Sequence, residues 1–179
     1  MYNKIIYIVL ILILTSCDSN NADYDCNSLE PLSELTNFSL VDKNPNSSTF
    51  EELIGPDFFS NTVRLFYFSM DPDWGGCIGR FGDLNSLYID HFQANENLNI
   101  IGIGANNDIP INNIVNNVLL PWVTDNDTYN IWDNWCIENR DIIFLNKQGY
   151  YISKININDG YDDNETDIIN LINELLNDN

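Results

Sequence analysis

Positive charge is what this sequence has least of. Its 179 residues include 7 lysines and arginines against 27 aspartates and glutamates, a formal net charge of −20. Such a chain has no electrostatic footprint for nucleic acid, and anionic lipid headgroups would repel it. The acids are spread along the sequence rather than gathered in a block, so they read as a solvated surface. Histidine is nearly absent: a lone His91 argues against a histidine-based metal site and against a Ser-His-Asp triad. It falls among Leu84, Leu87 and Tyr88 in a helical pattern and is expected at the edge of the core. The four cysteines, Cys17, Cys26, Cys77 and Cys136, are too far apart for a zinc pattern and form no C-x-x-C. These patterns call for no cofactor and no metal. There is no internal repeat and no long apolar run, since the stretch from Ile5 to Leu14 falls short of the roughly 20 residues that cross a bilayer as a helix.

That short apolar run, behind Lys4 and ahead of Leu14-Thr15-Ser16-Cys17, reads as a secretion signal. Leucine, two small residues and cysteine look like a lipobox: residues 1–16 are expected to be removed and Cys17 to carry the lipid. The chain would then be a lipoprotein of the bacterial cell envelope, facing the periplasm or the exterior and reaching the membrane only through Cys17. Residues 17–35 are expected as a polar tether and 36–179 as one domain, long enough for a single core of normal size. With Cys17 lipidated, two of Cys26, Cys77 and Cys136 could pair in an oxidising compartment, leaving one free.

The domain's pattern predicts an α/β fold, a central mixed sheet of about four or five strands with helices on both faces. Phe38 to Asp42 alternates like a strand, Lys43-Asn44-Pro45-Asn46 is a turn, and Thr49 to Leu53 resumes a short apolar segment, together a hairpin-like preface. Val63 to Phe68 is aromatic and branched with little alternation, as a central strand should be. Phe81, Leu84, Leu87, Tyr88 and Phe92 follow helical spacing, and Leu98 to Gly104 is a second buried strand. A weak helix is expected over 109–118, a short strand over 119–123, and a hairpin from Ile142–Asn146 and Tyr150–Ile155. A closing helix carries Ile168, Leu171, Ile172 and Leu175, with Asn164 as its expected cap.

Cys77 stands between a buried strand and a helix start, after two glycines. Unpaired amides and the positive end of the helix dipole favour a thiolate there, which makes Cys77 the leading nucleophile candidate. An inert buried cysteine is the competing reading. At this point the sequence resembles the redoxin group, meaning peroxiredoxins of the thiol-specific antioxidant type and membrane-anchored thioredoxin-like proteins. Phe38–Asp42 is similar to the group's opening strand, Val63–Ser69 to its central strand, and Cys77 to Tyr88 to the helix that starts at its active cysteine. Leu120-Pro121-Trp122-Val123-Thr124-Asp125 and Arg140 to Gly149 resemble two further segments in the same order. The resemblance implies a thioredoxin-like fold and a thiol-disulfide oxidoreductase or thiol peroxidase, with protein thiols or disulfides, small thiols or peroxides as partners.

The departures matter as much. Met70 and Trp74 stand where peroxiredoxins carry proline and threonine, and Trp74-Gly75-Gly76-Cys77 keeps only the second cysteine of C-x-x-C. An indole donates one N–H but cannot accept, so part of a peroxide site is gone; a hydrophobic lid is the alternative reading of Trp74, in a chain that also uses Trp122, Trp132 and Trp135. The resemblance places Arg140 where an arginine polarises the substrate beside the thiolate, with a surface charge as the alternative. It places Cys136 in a loop beside Cys77, where a disulfide would restore a two-cysteine cycle; packing beside Trp135 is the alternative, and Cys26 is a further possible partner of Cys77. Two other functions stay open: a non-catalytic binding or accessory domain, and copper delivery resembling the Sco proteins. The latter ranks last, because Asp73 occupies the place of the first Sco cysteine, although Cys77 with Cys136 could bind copper(I).

Overall fold

In the computed structural model, residues 29–178 are described; the expected signal sequence, Cys17 and Cys26 lie outside them. The strand that is apolar on both faces becomes the middle of the sheet. β3 (Val63–Ser69) is buried at every position. It pairs in parallel with β4 (Leu98–Gly104) and antiparallel with β6 (Asp141–Leu145). β5 (Trp122–Thr124) adds in parallel outside β4, and β7 (Tyr151–Asn156) antiparallel outside β6, giving a five-stranded mixed sheet in the order β5-β4-β3-β6-β7. The preface is a separate two-stranded antiparallel pair, β1 (Leu40–Val41) with β2 (Leu53–Ile54).

Helices cover the two faces unequally. On one face α1 (Gly75–Leu87) and α3 (Asp162–Asn177) pack Phe81, Leu84, Ile168 and Ile172 against Leu65, Tyr67, Ile142 and Phe144. The other face holds Phe66, Phe68, Ile101 and Ile143. It is closed by the one-turn α2 (Ile131–Asn134), Trp135, and the chain around Phe38, Leu40 and Ile54. The side-chain period of two along β3 separates these two cores. Residues 29–35, expected as tether, instead lie against the domain: the Leu32 N–H donates to the Tyr151 carbonyl at 2.7 Å, and Leu29 and Leu35 pack on the second core.

Three local expectations are corrected. α1 continues through a π-helical turn over Tyr88–Phe92, which shifts the helical phase and leaves His91 exposed while Phe92 is buried. Residues 109–118 form turns rather than a helix, as a segment with one proline and four asparagines would favour. The cap of α3 is Tyr161; Asn164 lies inside the first turn, its Nδ2 donating to the Gly160 carbonyl at 2.7 Å.

Where α1 crosses the sheet, Gly102 of β4 allows close packing. A Cβ on Gly102 would collide with Trp122 and Phe81, whose rings stack edge to face at 5.1 Å between centroids. Any side chain there would push apart the wall that lies beneath α1.

Candidate functional site

The site forms at the carboxyl end of β3, where the chain leaves the sheet and enters α1. Cys77 is the third residue of α1, is a free thiol, and has no exposed surface. Its Sγ lies 3.8 Å from Asn139 Oδ1, which also accepts from the Met70 N–H at 2.9 Å. Below it the Tyr67 hydroxyl donates to the Cys77 carbonyl at 3.2 Å. Burial, followed by the charge of Cys77, holds the Tyr67 hydroxyl far above its ordinary pKa, so it stays a donor throughout the accessible pH range.

The helix start is bare. Trp74 is the N-cap, but no side chain caps the helix and its first turn holds no acidic residue. The Trp74 carbonyl takes the N–H groups of both Cys77 and Ile78. Its indole, half exposed, meets the Arg140 guanidinium at 4.3 Å from Cζ to the ring centroid. Together these two side chains stand over Gly76, the residue before the buried thiol. Cation and ring face attract through the ring quadrupole, an interaction worth about 0.5–2 kcal/mol depending on desolvation.

Arg140 is held from several directions. Its backbone N–H donates to Phe68 at 2.9 Å and its carbonyl accepts from Ile157 at 3.1 Å. Its φ of 69° is left-handed, a conformation costly for a side-chain-bearing residue. Nη1 donates to the Asn158 carbonyl and Oδ1 at 3.2 and 2.9 Å. Nη2 lies 2.6 Å from where a Cβ of Gly76 would stand, so Gly76 is the residue that makes room for the guanidinium. Nε is buried without a partner among the described residues.

The expected pairing of Cys77 with Cys136 is not made. Cys77 is free while Cys136 is disulfide-bonded. The two cores explain the separation: Cys77 belongs to the α1 face, whereas Trp135, the neighbour of Cys136, is anchored in the core on the opposite face. With Cys136 engaged, the copper(I) site that would have joined the two thiolates lacks its second ligand. Among the described residues no group of three or more Cys, His, Asp or Glu side chains could hold a metal.

The structure thus brings together Trp74, Cys77 and Arg140 and leaves Cys136 out. Sequence reasoning missed Asn139, which sits against the thiol, and Asn158, which holds the guanidinium; in a chain so rich in asparagine their residue type carried no signal. Away from the site, a cavity of about 400 Å³ opens at the other end of β3. There Arg64 donates to the carbonyls of Pro56, Thr62, Asn146 and Lys147, tying two loops together.

No protein-family model matches the sequence, and no curated protein does. Solved structures do match. The thioredoxin domain of a thiol-disulfide oxidoreductase from Bacteroides vulgatus aligns with a TM-score of 0.61 at 16% identity, over 81% of this chain and 99% of that one. The mitochondrial 2-Cys peroxiredoxin of Plasmodium falciparum aligns with a TM-score of 0.61 at 18% identity, over 82% of this chain and 94% of that one. Copper-bound ScoI of Bradyrhizobium japonicum aligns with a TM-score of 0.57 at 12% identity, over 77% of this chain and 99% of that one. At such identities the likeness establishes the fold: the chain is an α/β protein with a thioredoxin-like fold, and its structural neighbours include thiol-disulfide oxidoreductases and a peroxiredoxin. No helix among the described residues is long and apolar enough to cross a membrane.

Proposed function

We propose that the protein is a lipid-anchored thiol-disulfide oxidoreductase of the cell envelope that works through one thiol, Cys77. The observation that carries this reading is the free Cys77 thiol at the start of α1, beside a buried arginine that no carboxylate among the described residues neutralises. In the reaction the Cys77 thiolate attacks one sulfur of a partner disulfide. That S–S bond breaks, a mixed disulfide forms on Cys77, and the partner's other sulfur leaves as a thiolate. A second, external thiol then releases Cys77, because Cys136 is engaged elsewhere. Arg140 and the α1 start stabilise negative charge as it moves between sulfurs. Exchange is favoured over peroxide reduction because Trp74 stands where a hydroxyl would orient a peroxide, and losing one such group costs roughly 100-fold or more.

The burial of Cys77 supports a second reading, a non-catalytic binding domain, since the thiol must be uncovered before any disulfide reaches Sγ. Incubation of the folded protein with glutathione disulfide, followed by mass spectrometry, decides between them. A mixed disulfide on Cys77 that is abolished in Cys77→Ser is the expected result. Absence of both adduct formation and native-state alkylation would leave the binding domain as the better account.

The anchor is tested separately. Cys17→Ala is expected to move the protein from the membrane to the soluble fraction or leave it unprocessed. Undiminished membrane retention of a processed mutant would remove the lipid from this account.

A further inference from the structure

The start of α1 beside Cys77 is electropositive. Its first amides have no acceptor within the helix, no side chain caps them and the first turn holds no acidic residue, the nearest in sequence being Asp71 and Asp73 in the loop before it. Against this positive end lies Arg140, only 6% exposed, with its guanidinium pressed onto Gly76 and its Nε buried without a partner among the described residues. The ion pairs among the described residues are Arg80 with Asp83 and Lys154 with Asp141; neither involves Arg140. A buried cation with neutral partners costs free energy, and its placement at the positive end of a helix adds to that cost. Both costs fall when an anion binds between them, because a helix start with a guanidinium beside it is a ready anion site.

We propose that the partner of Cys77 is a small thiol or disulfide bearing a carboxylate near its sulfur. The carboxylate would be held by Arg140 and the Gly75 and Gly76 amides, with its carbon chain against the Trp74 indole. This deepens the single-thiol reading and rests on it for the chemical step. For the disulfide form, the Cys77 thiolate attacks the sulfur nearer the bound carboxylate and the other half leaves as its thiolate. The net charge of −20 does not preclude such a ligand. Its field is screened beyond about 8 Å at physiological ionic strength, whereas the Arg140 site acts at contact.

Two matched pairs of probes test the proposal on the intact protein. Alkylation of Cys77 by iodoacetate is compared with alkylation by iodoacetamide, and the rate ratio is referred to the same thiol in the urea-unfolded chain. Folding is expected to raise this ratio by about tenfold, the effect of one charge-assisted contact, and Arg140→Met to return it to about one. In parallel, the backbone amide resonances of Gly75 and Gly76 are followed while mercaptoacetate or mercaptoethanol is added, which needs neither a reactive Cys77 nor a mutant. Saturable shifts with the acid alone are expected. A folded ratio of one or less, or equal shifts with both thiols, overturns the anion site. Alkylation by the neutral reagent without preference for the charged one overturns this proposal but leaves the single-thiol reading standing. Saturable mercaptoacetate binding with no alkylation by either reagent retains the anion site and removes the chemistry instead.

Discussion

Trp135→Ala is expected to lower the unfolding free energy by about 3–5 kcal/mol, the range for emptying a fully buried large aromatic. Trp135 has no exposed surface, and its ring lies 5.7, 5.3 and 6.0 Å from those of Phe38, Phe66 and Phe68. Its Nε1 donates to the carbonyl and hydroxyl of Thr36 at 3.0 and 3.1 Å, tying the N-terminal segment over the sheet. Truncation removes the aromatic cluster and leaves the Thr36 carbonyl and hydroxyl without their indole donor. Trp135 also anchors the start of the short loop that ends in Asn139 and Arg140, so the mutant should also alkylate faster at Cys77 under native conditions. Equilibrium urea unfolding measures the first effect; a loss below about 1 kcal/mol would show that Trp135 does not organise this face.

How much of this was legible beforehand depended on the kind of signal. Strands with long apolar runs were plain: β3 and β4 fall where Val63–Phe68 and Leu98–Gly104 predict them, and the β6–β7 hairpin lies around its Gly149 turn. Periodicity placed α1 behind Cys77, because Phe81, Leu84 and Leu87 share one stripe. It could not show the π-helical turn at Tyr88–Phe92, where one extra residue per turn exposes His91 while the apolar pattern continues unbroken. The site was legible in its charged and sulfur-bearing residues and illegible in the neutral ones. Arg140 and Trp74 stood out by their places in the redoxin resemblance, and the structure stacks them. The separation of Cys136 from Cys77 could not be read, because it depends on which face of the sheet each loop crosses. Sequence distance does not encode that.

Asp42 is the least legible of the residues with large effects, since it looked like the polar end of a strand. The structure buries it completely and gives its carboxylate to four donors. Oδ1 accepts from the N–H groups of Asn44 and Trp122, each at 2.9 Å, and Oδ2 from the hydroxyls of Ser47 and Thr49, the latter at 2.8 Å. The carboxylate therefore closes the β1–β2 turn on itself and ties that turn to the start of β5. Asp42→Ala leaves these buried donors without their acceptor, and breaking such a network is expected to cost about 3–5 kcal/mol. Asp42→Asn keeps one oxygen for the two backbone donors and should cost much less, about 1–2 kcal/mol. The effect should extend to the site, because Asp42 fixes the backbone of Trp122, whose indole packs over Gly102 and against Phe81 beneath α1. Urea unfolding of both variants, with native-state alkylation of Cys77 alongside, checks this. Equal losses for alanine and asparagine would mean that the carboxylate acts through its volume rather than its acceptors, and unchanged alkylation would separate the turn from the site.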